Sequence, residues 1–425
     1  MEKTILPVSD VSLFKQKALS WACKFEVCCL LNSNERYTNL ATETQWTLAV
    51  DVLDKVQPEP GSCFSDLKTF LATKQQTVFG FLSYELKNEV ESLSSKNPDF
   101  LGFPPLFFFE PRYLIEVFHD KVVINRNYPE AFALVEAIEK INLEQTPSSS
   151  LHFNFRTDEN NYCQQVENIK QKIVDGDFYE MNYCIEAYAE QVEVHADIVY
   201  HRLNENTQAP FSCFFKWGQK YLICASPERF LKKHGKKIYA QPIKGTIAKS
   251  ADVFENKALK EKLKNSEKDR AENVMIVDLM RNDLAKSCKT GSIVVEELCE
   301  VYEFKTVHQM ISTVSGVCQD EVHLTDILKN AFPMGSMTGA PKVEVMKNID
   351  ELENFSRNLF SGSVGYITPE GNFDFNVVIR SIFYDAHTRY LSLRAGSAIT
   401  FDSDALGEWQ EVLLKMKALR EIFEK

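Results

Sequence analysis

Apolar runs of strand length, each stopped by turn formers, set the first limit on what this chain can fold into. Val27-Cys28-Cys29-Leu30-Leu31 ends at Asn32-Ser33-Asn34, and Val78-Phe79-Gly80-Phe81-Leu82 ends at a polar segment near Tyr84-Glu85-Leu86-Lys87, read as a helix. Such runs fit buried strands and are too short for buried helices. Residues 106–109, 113–117 and 122–124 predict a meander, and 129–141 a helix. Further strands are predicted at about 182–194, 211–217, 221–225, 293–295, 307–314, 361–367, 373–383 and 390–395. Tyr162, Val166, Ile169 and Ile173 recur at helical spacing up to Gly176. Other helices are predicted at 267–288, 324–331, 343–353 and 405–423, the first of them apolar on several sides and therefore expected to be buried. Strands and helices come in mixed runs without strand–helix–strand alternation. That predicts an α+β fold with largely antiparallel sheets, not a doubly wound parallel one. Residues 1–145 read as one region and 150–425 as a second, with Thr146-Pro147-Ser148-Ser149-Ser150 the most linker-like stretch.

Charge and cysteine content narrow the function. Of 425 residues 48 are Lys or Arg and 60 are Asp or Glu, a net charge of −12. That excess opposes general nucleic-acid binding. An anionic ligand would need positive groups concentrated at one place, or a metal. Met1-Glu2-Lys3-Thr4 opens no secretory signal, and no run approaches the roughly 18 apolar residues of a membrane span. The 11 cysteines include no C-x-x-C pair. Reduced, buried thiols in a cytoplasmic protein are expected, not a zinc site or a disulfide framework.

Several constellations carry possible chemistry, each with a plainer alternative. Glu408, Glu411 and Lys415 fall on one helix face, beside a docking stripe of Trp409, Leu413 and Met416. Two carboxylates one turn apart fit Mg²⁺, and a solvated face with a Glu411–Lys415 ion pair fits as well. Glu272, in an apolar helix, would share that metal or pair with Arg270 or Arg281. Lys244, in Pro242-Ile243-Lys244-Gly245-Thr246, is either a nucleophile with a depressed pKa or a surface lysine at a strand end. Glu228, in Ser226-Pro227-Glu228-Arg229-Phe230, is a general acid if burial raises its pKa, or bridges to Arg229. His308 lies in an apolar run, where a hydrogen-bonded core histidine is the commoner fate. Gly335 to Lys342 lacks the Gly-Lys-Ser/Thr ending of a nucleotide-binding loop.

The order of these motifs is more specific than any one of them. Ser226-Pro227-Glu228-Arg229-Phe230, then Pro242 to Thr246, then Ala271-Glu272-Asn273-Val274-Met275-Ile276-Val277-Asp278-Leu279-Met280-Arg281-Asn282-Asp283-Leu284 closely resembles the chorismate-utilising enzymes. So do Phe332-Pro333, Thr338-Gly339-Ala340-Pro341-Lys342, Ile379-Arg380, Ala395-Gly396 and Glu408-Trp409-Gln410-Glu411. The likeness covers about 150–425 strongly and the earlier part more loosely, through Phe79 to Tyr84. It implies two packed, largely antiparallel sheets with helices outside, both regions joined in one body. Lys at position 244 resembles the aminodeoxychorismate-forming branch, where the anthranilate branch usually has Ala. By this resemblance Lys244 attacks C2 of chorismate as the C4 hydroxyl leaves, and ammonia then enters at C4 and expels the lysine. Glu228 would move the leaving group's proton. Glu272 and Glu411, with Glu408 near or through water, would hold Mg²⁺. Arg380 would grip the enolpyruvyl carboxylate. Thr246, Thr338 and the backbone around Gly396 would complete the cradle, with His308 and Lys415 close by. An anthranilate synthase large subunit and an inactive chorismate-binding or glutaminase-scaffolding subunit are the rival readings. No Gly-x-Cys-x-Gly elbow marks a glutaminase, so nitrogen is expected from a separate glutaminase subunit or as free ammonia. The chain departs from the family pattern at Ala398, where many members have Gly, at Phe360, where many have Tyr, and at Glu180, usually Gln. The Glu180 charge would need a partner.

Overall fold

Alternation along the strands decides the architecture of the computed structural model, which describes residues 3–34, 45–118, 121–143 and 150–424. In the strand Val27–Asn32, Val27 and Cys29 enter one apolar cluster while Cys28 and Leu30 enter another. The strands Phe211–Trp217 and Ser381–Asp385 split likewise, with Phe215 and Phe383 on one side and Phe214 and Ile382 on the other. A sheet buried on both faces needs unbroken apolar strands. That is why 27–31 shows no polar alternation.

In spatial order this sheet runs Thr4–Pro7, Lys121–Ile124, Leu106–Phe118, Trp46–Val56, Val27–Asn32, Phe211–Trp217, Lys220–Ser226, Ser381–Asp385, Tyr390–Ile399 and Glu180–Ala189, all antiparallel. The first half of Leu106–Phe118 pairs on its other edge with Val78–Leu82. From there a second sheet continues through Ser363–Ile367, Phe373–Asn376, Arg229–His234 and Lys237–Gln241 to Val307–Val317. Ile243–Ala248 and Val294–Glu303 flank Val307–Val317 on opposite edges. The expected strands 106–109 and 113–117 are therefore one strand. A register shift at Leu53 of Trp46–Val56, opposite Glu110 and Pro111, marks where it passes from one sheet to the other.

Phenylalanines fill the space between the sheets. The Phe215 ring meets those of Phe81, Phe107 and Phe109 at 5.1, 6.2 and 6.1 Å. Each such fully buried ring contributes about 1.5–3 kcal/mol. Helices Val11–Ala22, Tyr128–Glu139, Glu159–Asp175, Ala196–Thr207 and Ala405–Arg420 cover the outer face of the first sheet. The helix Glu267–Ala285 is buried on one face only. Ile276, Val277, Met280 and Leu284 are enclosed while Val274 is 40% exposed, so the expectation of burial on several sides does not hold.

Strands of the first 145 residues pair directly with later ones, as in Val27–Asn32 with Phe211–Trp217 and Val78–Leu82 with Ser363–Ile367. Residues 146–149 of the linker-like stretch lie outside the described residues. All 11 cysteines are free. Among the described residues no helix is long and apolar enough to cross a membrane.

Candidate active site

Two chain crossings between the sheets build the heart of the site. After Lys220–Ser226 in the first sheet, Pro227 and Glu228 lead into Arg229–His234 in the second. Beside them Phe373–Asn376 in the second sheet leads through 377–380 into Ser381–Asp385 in the first. The expected strand 373–383 is thus broken, with Arg380 at φ +52° in the break. The crossings are tied together, Val377 N donating to Glu228 O at 3.0 Å and Ala225 N to Arg380 O at 3.0 Å. Glu228 and Arg380 thus sit on short connections fixed at the seam by backbone hydrogen bonds.

A cleft of about 750 Å³ opens at this seam. It is lined by Lys244, Thr246, Glu228, Glu272, Arg380, Gly396, Glu408, Glu411 and Lys415. Nine of the eleven expected site residues therefore share one cavity. Lys244 comes from the strand Ile243–Ala248, Glu272 from the helix Glu267–Ala285, and Glu408, Glu411 and Lys415 from the helix Ala405–Arg420. Gly245, at φ +88°, keeps Lys244 and Thr246 against the helix start, because a Cβ there would lie 2.9 Å from Asp269.

Two expected members lie outside the cavity. Val307 and Gln309 line the cleft, and side chains alternate along a strand, so His308 between them faces away. Its Nε2 meets Asn256 Oδ1 at 2.9 Å. Thr338 is fully buried and its hydroxyl donates to Met334 O at 3.0 Å, so Ser336 rather than Thr338 presents a hydroxyl to the cleft.

Lys244 is buried, and its Nζ donates to Glu180 Oε1 at 2.7 Å. Glu180, the unusual residue of its segment, thus has its partner. The expectation of a depressed amine pKa is overturned for the protein alone. Burial pushes Lys244 down, but the carboxylates of Glu180, Glu272 and Glu228 together hold it above the ordinary lysine value. Glu180→Gln removes the strongest of these attractions, so more of Lys244 is the free amine at any given pH. Competitive acetylation at pH 8 should label Lys244 faster in this variant, and equal rates in the two proteins would contradict this account.

Glu228 forms no bridge to Arg229, whose guanidinium binds Asp374 at 2.8 Å. Burial pushes the Glu228 carboxyl up to about 7, against the pull of the Ser336 hydroxyl and of Lys244. Glu272 also reaches about 7, through burial opposed by Lys244 and reinforced by Glu180. It pairs with neither Arg270 nor Arg281 but approaches Lys268 at 3.9 Å, and Arg281 binds Asp278. Glu411, whose side chain is about half exposed, pairs with Lys415 at 2.6 Å, and against some desolvation in the cleft the lysines around it hold it below the usual carboxylate range.

Lys415 Nζ also donates to Gly396 O at 2.8 Å. A Cβ at Gly396 would lie 2.5 Å from Cys184 Sγ and 2.6 Å from Tyr183 O. Gly396→Ala should therefore destabilise the protein by about 1–3 kcal/mol, read as a lower urea midpoint at unchanged slope. A midpoint equal to the parent's would show that the neighbouring strand yields freely.

Among the described residues no three His, Cys, Asp or Glu side chains converge closely enough to hold a metal ion by themselves. Mg²⁺ asks for less, usually one or two carboxylates plus water and substrate oxygens. The all-oxygen set of Glu272, Glu408 and Glu411 fits that requirement. A cation already stands among them, since Lys268 Nζ lies 3.9 Å from Glu272 and 3.7 Å from Glu408.

Asn182, Ser336, Lys268 and Gln309 line the cleft without having been anticipated. Gln309 is nearly enclosed and its Oε1 has no partner among the described residues. Their signal was weak. Three are ordinary polar residues within strands or turns, and Lys268 reads as one more charge at a helix start.

A family model described as chorismate binding enzyme matches residues 26–421. The chain is 40% identical over 288 residues to the probable aminodeoxychorismate synthase, chloroplastic, of Oryza sativa subsp. japonica, covering 66% of this chain and 32% of that protein. It is 31% identical over 366 residues to aminodeoxychorismate synthase component 1 of Bacillus subtilis (strain 168), covering 82% and 77%. The chain thus spans about a third of the plant relative and most of the bacterial one. Among solved structures, anthranilate synthase component I from Streptococcus pneumoniae TIGR4 superposes with a TM-score of 0.76 at 24% identity, over 99% of this chain and 92% of that one. This last likeness speaks for the two-sheet α+β fold alone.

Proposed function

The chain belongs to the chorismate-binding enzymes, and from that premise we propose that it is an aminodeoxychorismate synthase component I, forming 4-amino-4-deoxychorismate from chorismate and ammonia for p-aminobenzoate and folate synthesis. The observation that carries this reading is a buried lysine, Lys244, at the floor of a cleft walled by Glu228, Glu272 and Arg380.

The chemistry follows from those positions. Lys244 first passes its ammonium proton to the Glu180 carboxylate it is paired with at 2.7 Å. The neutral amine then forms a bond to C2 of the ring while the C4–O bond breaks, and Glu228 gives its proton to the departing hydroxyl, which leaves as water. Ammonia then bonds to C4 and the C2–N bond breaks, which restores the lysine amine, and the Glu228 carboxylate takes back a proton from the new C4 ammonium. Arg380 offers a planar fork of donors to a substrate carboxylate. Its guanidinium is anchored only loosely, Nη1 lying 3.3 Å from Lys415 O, which leaves donors for a ligand. Glu272 and Glu411, with Glu408, would hold Mg²⁺, which supplies positive charge against the ring carboxylate when bound. Lys244, Arg380, Lys415 and Lys268 stand among the carboxylates of Glu228, Asp269, Glu272, Glu408 and Glu411 in one cleft, so a bound Mg²⁺ would tip the balance of charge toward a di-anion. Ammonia comes from a separate glutaminase subunit or from solution.

The test is to incubate the purified full chain with chorismate, MgCl₂ and ammonium sulfate, and to identify the product by mass and fluorescence. Aminodeoxychorismate is the expected product. Fluorescent anthranilate would reassign the chain to the tryptophan branch, and unchanged chorismate would mark an inactive binding subunit.

A further inference from the structure

Lys268 stands where neither of the local rules for helices favours it. It occupies the first turn of Glu267–Ala285, the positive end of the helix, where acidic residues are preferred. Its i,i+4 partner is Glu272 with the lysine on the N-terminal side, the weaker orientation of such a pair. What holds the ammonium there lies across the cleft. Its Nζ is 3.7 Å from Glu408, on the helix Ala405–Arg420, and 3.9 Å from Glu272. Glu408 is otherwise buried, with Ser403 Oγ donating to its Oε1 at 2.9 Å. The side chain of Lys268 is 62% exposed, so a long flexible stem can swing out to solvent without disturbing the fold.

We propose that Lys268 is a built-in counter-cation of the metal cluster: it neutralises Glu272 and Glu408 while the divalent ion is away and must leave them for the ion to bind. The inference rests on the reading of this cluster as a Mg²⁺ site. It assigns Lys268 a role opposite to that of a ligand, since removing it strengthens metal binding. Lys268 thus lowers affinity for the free ion and prevents the empty cluster from repelling a di-anionic substrate. Arg at this position keeps the charge and the reach, whereas Met keeps only the stem.

Calorimetric titration of the full chain with MgCl₂, and electron paramagnetic resonance with MnCl₂, test this without turnover. Lys268→Met should bind either ion about three- to tenfold more tightly than the parent, the loss of two partly exposed ion pairs. Lys268→Arg should match the parent, and Glu272→Gln should bind far more weakly. Equal or weaker binding by Lys268→Met, with the parent still binding and Glu272→Gln impaired, overturns the counter-cation role and leaves the metal site standing. Failure of the parent and Lys268→Met alike to bind either ion, or parent binding that Glu272→Gln leaves unchanged, removes the metal site and this inference with it.

Discussion

Lys244→Ala is expected to lower aminodeoxychorismate formation by at least about a thousandfold, the scale on which loss of a covalent nucleophile is felt. Mg²⁺ and ammonia cannot replace an amine aimed at a ring carbon. The variant also leaves Glu180 buried without a partner, beside Glu228 and Glu272. An uncompensated buried charge costs about 3–5 kcal/mol, so inactivity alone would be ambiguous. Lys244→Arg separates the two effects. It keeps a cation beside Glu180 but is never a neutral amine at working pH. It should remain folded, by its thermal midpoint, and be as inactive as the alanine variant. The parent, mixed with chorismate in the absence of ammonia, should carry the ring less one water on Lys244, seen by intact mass and peptide mapping. An active Lys244→Arg enzyme, or an adduct on another residue, would end the covalent scheme.

Parts of this arrangement could be read along the chain and parts could not, for definite reasons. Strands such as Val27–Asn32 and Val78–Leu82 were legible because burial on both faces leaves an unbroken apolar run. The helix Val253–Lys264 was not. It buries Leu263 while leaving Val253 and Phe254 exposed, so it has no apolar stripe to detect. The crossings at 227–228 and 377–380 were hidden for another reason. A strand that changes sheets keeps its apolar character, so 373–383 reads as one element.

Site residues carried by ordered motifs came together because motifs record chemistry directly. His308 and Thr338 fell outside because a motif does not record strand parity. A one-residue difference in facing separates His308 from Gln309, and only the register of Val307–Val317 against Ile243–Ala248 decides it. Glu180 shows the reverse case. Its oddity was visible in the sequence, but its meaning depended on a 2.7 Å contact across 64 residues of chain.

Glu228→Gln tests the other half of the chemistry. The amide has the shape of the carboxyl and can still accept from the Ser336 hydroxyl, but it has no proton to give. The Glu228 backbone is held by Val377 N and Ser226 Oγ, so the crossing stays in place. A fall in kcat of about a hundred- to ten-thousandfold is expected, with little change in KM for chorismate. The pH dependence supplies the sharper criterion. Burial raises the Glu228 carboxyl to about 7, so it is protonated below that value and loses its proton above it. A group that must donate a proton to the leaving hydroxyl is competent only in its protonated form. The parent's kcat/KM, which reports the groups of the free enzyme, should therefore decline as pH rises through about 7, and the residual kcat/KM of Glu228→Gln should lack that decline. Glu272 titrates near the same value, but its need runs the other way, because a carboxylate that holds a cation must be ionised. The two groups thus predict opposite limbs, and deleting Glu228 should erase only the alkaline one. A variant that keeps a rate within a few fold of the parent, with the alkaline limb intact, would move the acid role to another residue.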